Sequence, residues 1–429
     1  MISGFFSLEK SYSQTFFVEP MMTSNSEPEV DNKPSLEYVP IAGYQLPSAP
    51  ITHSARERLA SLRRLFRRGT PEQDSPLWAN DKLLSLPQCQ LERIAPTPDW
   101  EKSANVLNRA IDDWVKQENP DFPVIITVGP PHSGNAKTLM AWAKLQSWRT
   151  LERPSPEQIL AGDESWINEL RGDGSPWVFP ALEKVYLRHA EGLKLLRVFL
   201  DHVCSGKIGR GIIACDSWAW AYLSHLWRGR TPTTLSLQAL DQPRLTRYFQ
   251  DLVLPTRTSK LFFRQSDNGH YVLPSNDSEV PDEENSNFLQ IIAAHSRGIP
   301  GVALAVWRAS MQAAPEESNS KAEDNKDITH PYQTIWILPW NQLKLPSLPI
   351  AAGCDEAFVL QTLLLHNGLT FDVLKQLLPM PPNQVLETIY RLEEDELVNQ
   401  EDTVWQVTAR GYPAVRQFLA TNNYLVDQF

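Results

Sequence analysis

An α/β protein with a mostly parallel sheet, followed by a small α+β unit, is the architecture this sequence predicts. Three observations predict it. The run VIITV (124–128) is apolar and β-branched without alternation, as a strand covered on both faces must be. Strand, turn and helix recur at three places, which requires crossover connections between parallel strands. The last 75 residues then change pattern to three helices and a hairpin.

At 429 residues the chain is long enough for two or three cores. Residues 1–54 mix Ser, Pro, Glu and Asn with little periodicity and read as a flexible arm. Residues 55–95 form a basic helix and linker: in ARERLASLRRLFRRG (55–69), Leu59, Leu62, Leu65 and Phe66 recur at helical spacing among six arginines. This segment reads as a dock for an anionic membrane face or an acidic protein, or as a face packed on the protein's own acidic surface.

Residues 96–272 are the expected core. Thr97 or Asp99 caps a helix carrying Trp100, Val106, Leu107, Ile111 and Trp114, and VIITV follows. WVFPAL (177–182) leads into a helix through VYLRHAEGLKLLRVFLDHV, and GIIAC (211–215) leads into DSWAWAYLSHLW. Residues 273–330 are expected to be a helical lid, two helices broken by Gly298 and Pro300 between the acidic stretches 275–287 and 314–327. Residues 331–354 supply a strand and a linker, and 355–429 the terminal unit.

Composition narrows the partners. Forty basic against 51 acidic residues give a net charge of −11, which excludes a whole-molecule positive field for nucleic acid. The four cysteines have no CxxC or metal-ligand spacing, so a reducing cytosol is expected and neither a disulfide framework nor a zinc site is. No window approaches the ~18 apolar residues of a spanning helix, which leaves peripheral attachment through 55–69 as the membrane option.

GPPHSGNAKT (129–138) is the centre of the functional reading. Gly129 and Gly134 bracket Pro130, Pro131, His132 and Ser133 between a buried strand and a helix. In that geometry backbone amides wrap an anion and a helix N-terminus faces it. Here the chain resembles P-loop NTPases of the AAA type, whose pattern is GxxxxGK[ST]. Asn135 stands at the lysine position and Ala136 at the Ser/Thr position, so the phosphate-reaching ammonium and the magnesium-holding hydroxyl are both missing. Lys137 and Thr138 lie two residues on, about 200° round the helix at ~100° per residue.

The resemblance implies ATP as ligand, weakly held or lost, and puts magnesium in doubt. Losing one preorganised donor costs about 2.7–4 kcal/mol of transition-state stabilisation at comparable sites, so two losses predict little or no hydrolysis. The second core strand of the family ends in paired acids. Here Glu183 alone remains, either a water-polarising base or a partner of Lys184 or Arg188. Asp216 stands at the family's polar sensor position or simply caps the helix after it. Arg297 resembles a lid arginine that touches phosphate, or is a surface residue before a Gly-Pro turn. His132 reads as an anion donor or as an exposed loop histidine. Trp142, Trp148, Trp166, Trp177, Trp218 and Trp220 read as packing residues.

The terminal unit resembles a winged helix. Eleven acids and four bases from Asp355 to Phe429 make DNA an unlikely partner, so the unit is expected to be a protein-contact module or a lid that folds onto the core. The combined expectation is a nucleotide-sensing or scaffolding protein, against an ATP-hydrolysing enzyme using Lys137 and Glu183, or a DNA-binding regulator.

Overall fold

The computed structural model describes residues 34–48, 83–118, 122–170, 174–225, 232–253, 260–273, 285–314 and 332–429. The basic segment 55–69 and most of the two acidic stretches lie outside these residues. Pro34–Phe429 form one compact unit.

The main sheet has six strands. In chain order they are β1 (Tyr38–Pro40), β3 (Val124–Gly129), β4 (Arg149–Thr150), β5 (Trp177–Phe179), β6 (Gly211–Asp216) and β7 (Thr233–Leu237), with β2 (Leu84–Ser85) placed elsewhere. Their spatial order is β1-β7-β3-β6-β5-β4. All neighbours run parallel except β1, which pairs antiparallel with β7. β3 and β6 are buried at every residue, which is why their sequences do not alternate. Register places Gly129 opposite Asp216, so the glycine loop and the β6 acid leave the sheet at the same carboxyl edge. A central parallel strand feeding a glycine loop and a helix is the P-loop NTPase-like arrangement.

Helices cover both faces. Asp99, not Thr97, caps the helix Trp100–Lys116 by accepting from the Glu101 amide at 3.0 Å. The helix expected across 185–203 begins only at Lys194. Before it, a turn joins the Leu187 amide to the Gly192 carbonyl at 3.1 Å and uses groups that a helix would need.

The helices Phe288–His295 and Pro300–Ser310 break where Gly298 and Pro300 predict. They are accompanied by a five-stranded sheet that the pattern did not foretell. It joins β2, β8 (Lys260–Gln265), β9 (Tyr271–Leu273), β10 (Met311–Ala313) and β11 (Tyr332–Ile337) in the order β2-β10-β11-β8-β9. The terminal residues supply helices Cys354–Leu365, Phe371–Leu377, Pro382–Glu394 and Tyr412–Thr421, and the antiparallel strands β12 (Leu369–Thr370), β13 (Val398–Glu401) and β14 (Val404–Val407). One apolar cluster runs from Val124, Ile126 and Val128 of the main sheet to Leu360, Ile389 and Val415 of this unit. No helix among the described residues is long and apolar enough to cross a membrane.

Candidate functional site

A cleft of about 540 Å³ opens at the carboxyl edge of β3 and β6. Its floor is the loop from Gly129 to Lys137, and its walls include Glu183, Asp216, the helix Pro300–Ser310 and β14. Gly134 is the left-handed N-cap of the helix Asn135–Gln146, with φ 78°, and the helix presents its first amides beyond that cap.

Three neighbours hold the loop. Trp100 lies on Gly134 so closely that a Cβ there would stand 2.1 Å from its ring. The Gly301 amide donates to the His132 carbonyl at 3.1 Å, and a Cβ on Gly301 would lie 2.3 Å from that oxygen. His132 itself turns toward the C-terminal unit: its ring packs edge-on to Tyr412 at 6.2 Å, and its Nε2 is buried without a partner. Burial pushes its pKa down to about 4, against a hydrogen bond with the Val407 backbone. Among its two anticipated settings, the exposed loop histidine is not the one observed.

Asn135, at the lysine position, reaches back into the sheet. Its amide donates to the Thr127 carbonyl at 2.9 Å and to the Cys215 carbonyl at 3.3 Å, bridging the ends of β3 and β6. Lys137 lies with its ammonium 5.6 Å from the centre of the Trp100 ring. Thr138 is buried and shares a hydrogen bond with the Tyr38 hydroxyl. Ala136, Pro130, Pro131 and Ser133 line the cleft, and Ser133 donates its amide to the Pro130 carbonyl at 3.1 Å.

The two acids are adjacent and buried. Glu183 accepts from the Asp216 amide at 3.0 Å and meets the Asn367 side chain at 3.5 Å. The Asp216 carboxylate accepts from the Trp218 amide at 2.9 Å, capping the helix Ser217–Leu223. Burial raises the pKa of both carboxyls; the Glu183 charge adds to that of Asp216, and Lys184 opposes the rise. Among the partners anticipated for Glu183, Lys184 instead donates to the carbonyls of His366, Asn367 and Gly368 at 2.6, 3.0 and 2.7 Å, and Arg188 to Gln361. Burial lowers the Lys184 pKa to about 8.

Arg297 is directed elsewhere: its Nε donates to the Phe429 carbonyl at 2.5 Å, and it does not line the cleft. The helix Pro300–Ser310 lines the cleft with Arg308 instead, whose guanidinium donates to the Ala95 carbonyl at 2.8 Å. Sequence spacing could have found it, because Gly301, Leu304, Ala305 and Arg308 recur at one-face helical intervals and all line the cleft. Trp100 and Asn367 carried no comparable signal.

The donor set fits part of a nucleotide. Glycine-loop amides can cradle a phosphate, yet no hydroxyl stands at Ala136 for a metal, and among the described residues no cluster of three or more acids, histidines or cysteines could hold one.

No protein-family model matches the chain, and no curated protein matches it in sequence. Solved structures give distant likenesses. Cdc6p from Pyrobaculum aerophilum is 14% identical with a TM-score of 0.32, over 78% of this chain and 98% of that one. The RuvB Holliday junction branch migration motor of Thermotoga maritima is 13% identical with a TM-score of 0.31, over 77% and 96%. A signal transduction ATPase with numerous domains from Pyrococcus horikoshii, carrying a tetratricopeptide repeat sensor, is 11% identical with a TM-score of 0.27, over 82% of this chain and 44% of that one. With likeness at this level, the fold is carried by the chain's own strand order and its glycine loop.

Proposed function

We propose that the chain is a degenerate AAA-like P-loop protein that senses nucleotide or scaffolds a partner, with little or no ATP hydrolysis. Its terminal unit, with the element order of a winged helix, serves as the protein-contact module. The observation that carries this reading is Asn135, whose amide is spent on the carbonyls of β3 and β6 at the position where a phosphate-reaching cation would stand. Phosphoryl transfer depends on positioned positive charge, and Lys137 lies over an indole ring.

The exposed Glu387, Glu393 and Glu394 on the helix Pro382–Glu394 oppose a phosphate backbone and favour a protein partner with basic side chains. The protein acts in the cytoplasm, with the basic sequence 55–69 as a further contact for an anionic membrane or an acidic protein.

Isothermal titration of the full chain with an ATP analogue, with and without magnesium, tests the reading together with a phosphate-release assay. Weak binding that magnesium does not strengthen, and turnover far below ~1 per second, are expected. Turnover at ordinary enzymatic rates, lost on Lys137→Ala or Glu183→Gln, would make the protein an ATPase.

A further inference from the structure

We propose that Trp100 is the internal occupant of a slot shaped for a flat bicyclic ring, and that a purine nucleotide enters the cleft fully only by displacing it. This deepens the reading of the site and rests on the Gly129–Gly134 loop being an anion cradle.

Trp100 is the first residue of its helix, partly buried, and held on two sides. One side is Gly134, where an added Cβ would stand 2.1 and 2.5 Å from two carbons of the six-membered ring. Lys137 lies over the ring as well. Beside it Tyr38, Val106, Leu237 and Tyr248, edged by Ser103 and Thr138, line with Trp100 a small, mostly apolar slot whose free space is about 10 Å³, at the limit for one water molecule. Pro98, Trp100, Ser133 and Pro300 line both this slot and the wide cleft, so the two adjoin.

An apolar, aromatic slot beside a loop of anion-facing amides has the polarity of a site for a ligand with a flat body and a charged tail. Indole and purine are both planar, fused five- and six-membered rings. The chain thus fills with its own side chain the place where a ligand's ring would lie. At the first turn of a helix, with Asp99 keeping the cap, rotation of the side chain can empty the slot without unwinding backbone.

The same geometry predicts a specificity. A ligand made of phosphate alone meets the loop without touching the slot, whereas a nucleotide competes with Trp100 for it.

The full chain and its Trp100→Ala variant, titrated with ADP and with inorganic tripolyphosphate, test this. ADP is expected to bind the variant at least tenfold more tightly than the unchanged protein, and tripolyphosphate to bind both alike. Free adenine and free indole serve as ring probes in thermal unfolding; both are expected to raise the midpoint of Trp100→Ala and neither that of the unchanged protein. Equal ADP affinity in the two proteins overturns the proposal, as does a variant stabilised by indole and not by adenine, which marks the slot as ordinary packing. If neither protein binds tripolyphosphate, the anion-cradle reading fails, and the adenine arm alone decides the slot. Should Trp100→Ala not fold, Trp100→Phe is expected to show a smaller gain in ADP affinity, and no gain overturns the idea.

Discussion

Asn135 joins two strands that no local pattern connects. Its hydrogen bonds to Thr127 and Cys215 each contribute about 0.5–1.5 kcal/mol, so Asn135→Ala should cost about 1–3 kcal/mol. A lower urea midpoint with an unchanged slope is the expected reading. His366 offers a second residue-scale test. It is 0% exposed, and burial with the nearby charges of Lys184 and Arg188 pushes its pKa down to about 3. The unfolded chain takes up that proton near pH 6.5, so the stability involved is complete above that pH and falls on acidification, by up to ~1.4 kcal/mol per pH unit. Glu183 and Asp216, with raised carboxyl pKa values, pull the opposite way. Comparison with His366→Gln at pH 7 and pH 5 isolates the histidine: the variant should lose less stability over that interval. The glycine loop between a buried strand and a helix was legible in the sequence, because Gly129 and Gly134 bracket it. That Asn135 reaches Cys215 and Arg297 reaches Phe429 was not, since those partners lie 80 and 132 residues away.

At the scale of elements, the C-terminal helices are fastened by buried polar groups as well as by apolar contact. Asp427 accepts from Ser217 and from Arg416, the latter at 3.0 Å, and Trp218 donates to the Tyr412 hydroxyl at 3.0 Å. Arg416→Met keeps much of the stem's packing and leaves the carboxylate without its cation; about 3–5 kcal/mol of destabilisation is expected from calorimetry. Helices with a start signal and one apolar face were legible, as Trp100–Lys116 behind the Asp99 cap and Pro382–Glu394 opening on a proline demonstrate. The five-stranded sheet was not. β2 has two residues and β9 and β10 three each, too few for an alternation to register, and β2 pairs with β10 across more than 200 residues.

For the whole molecule, the apolar cluster common to the main sheet and the terminal helices couples their unfolding. Calorimetry should therefore give one transition for these two parts, with Arg416→Met splitting it; two transitions in the unchanged protein would contradict the coupling. Parallel order was legible because three buried runs alternate with helices. The covering of the sheet's flank was not, because three residues of β1 arrive from far upstream to pair with β7.

That short strand has a consequence for solubility. Its last residue, Pro40, has no amide to offer a further chain, so the margin of the sheet is a poor template for recruitment. A chain shortened to begin at Ala42 would bare the row of β7 amides and carbonyls to any neighbour carrying an extended segment. Dynamic light scattering should then record growing particles at concentrations where the unshortened chain stays monodisperse.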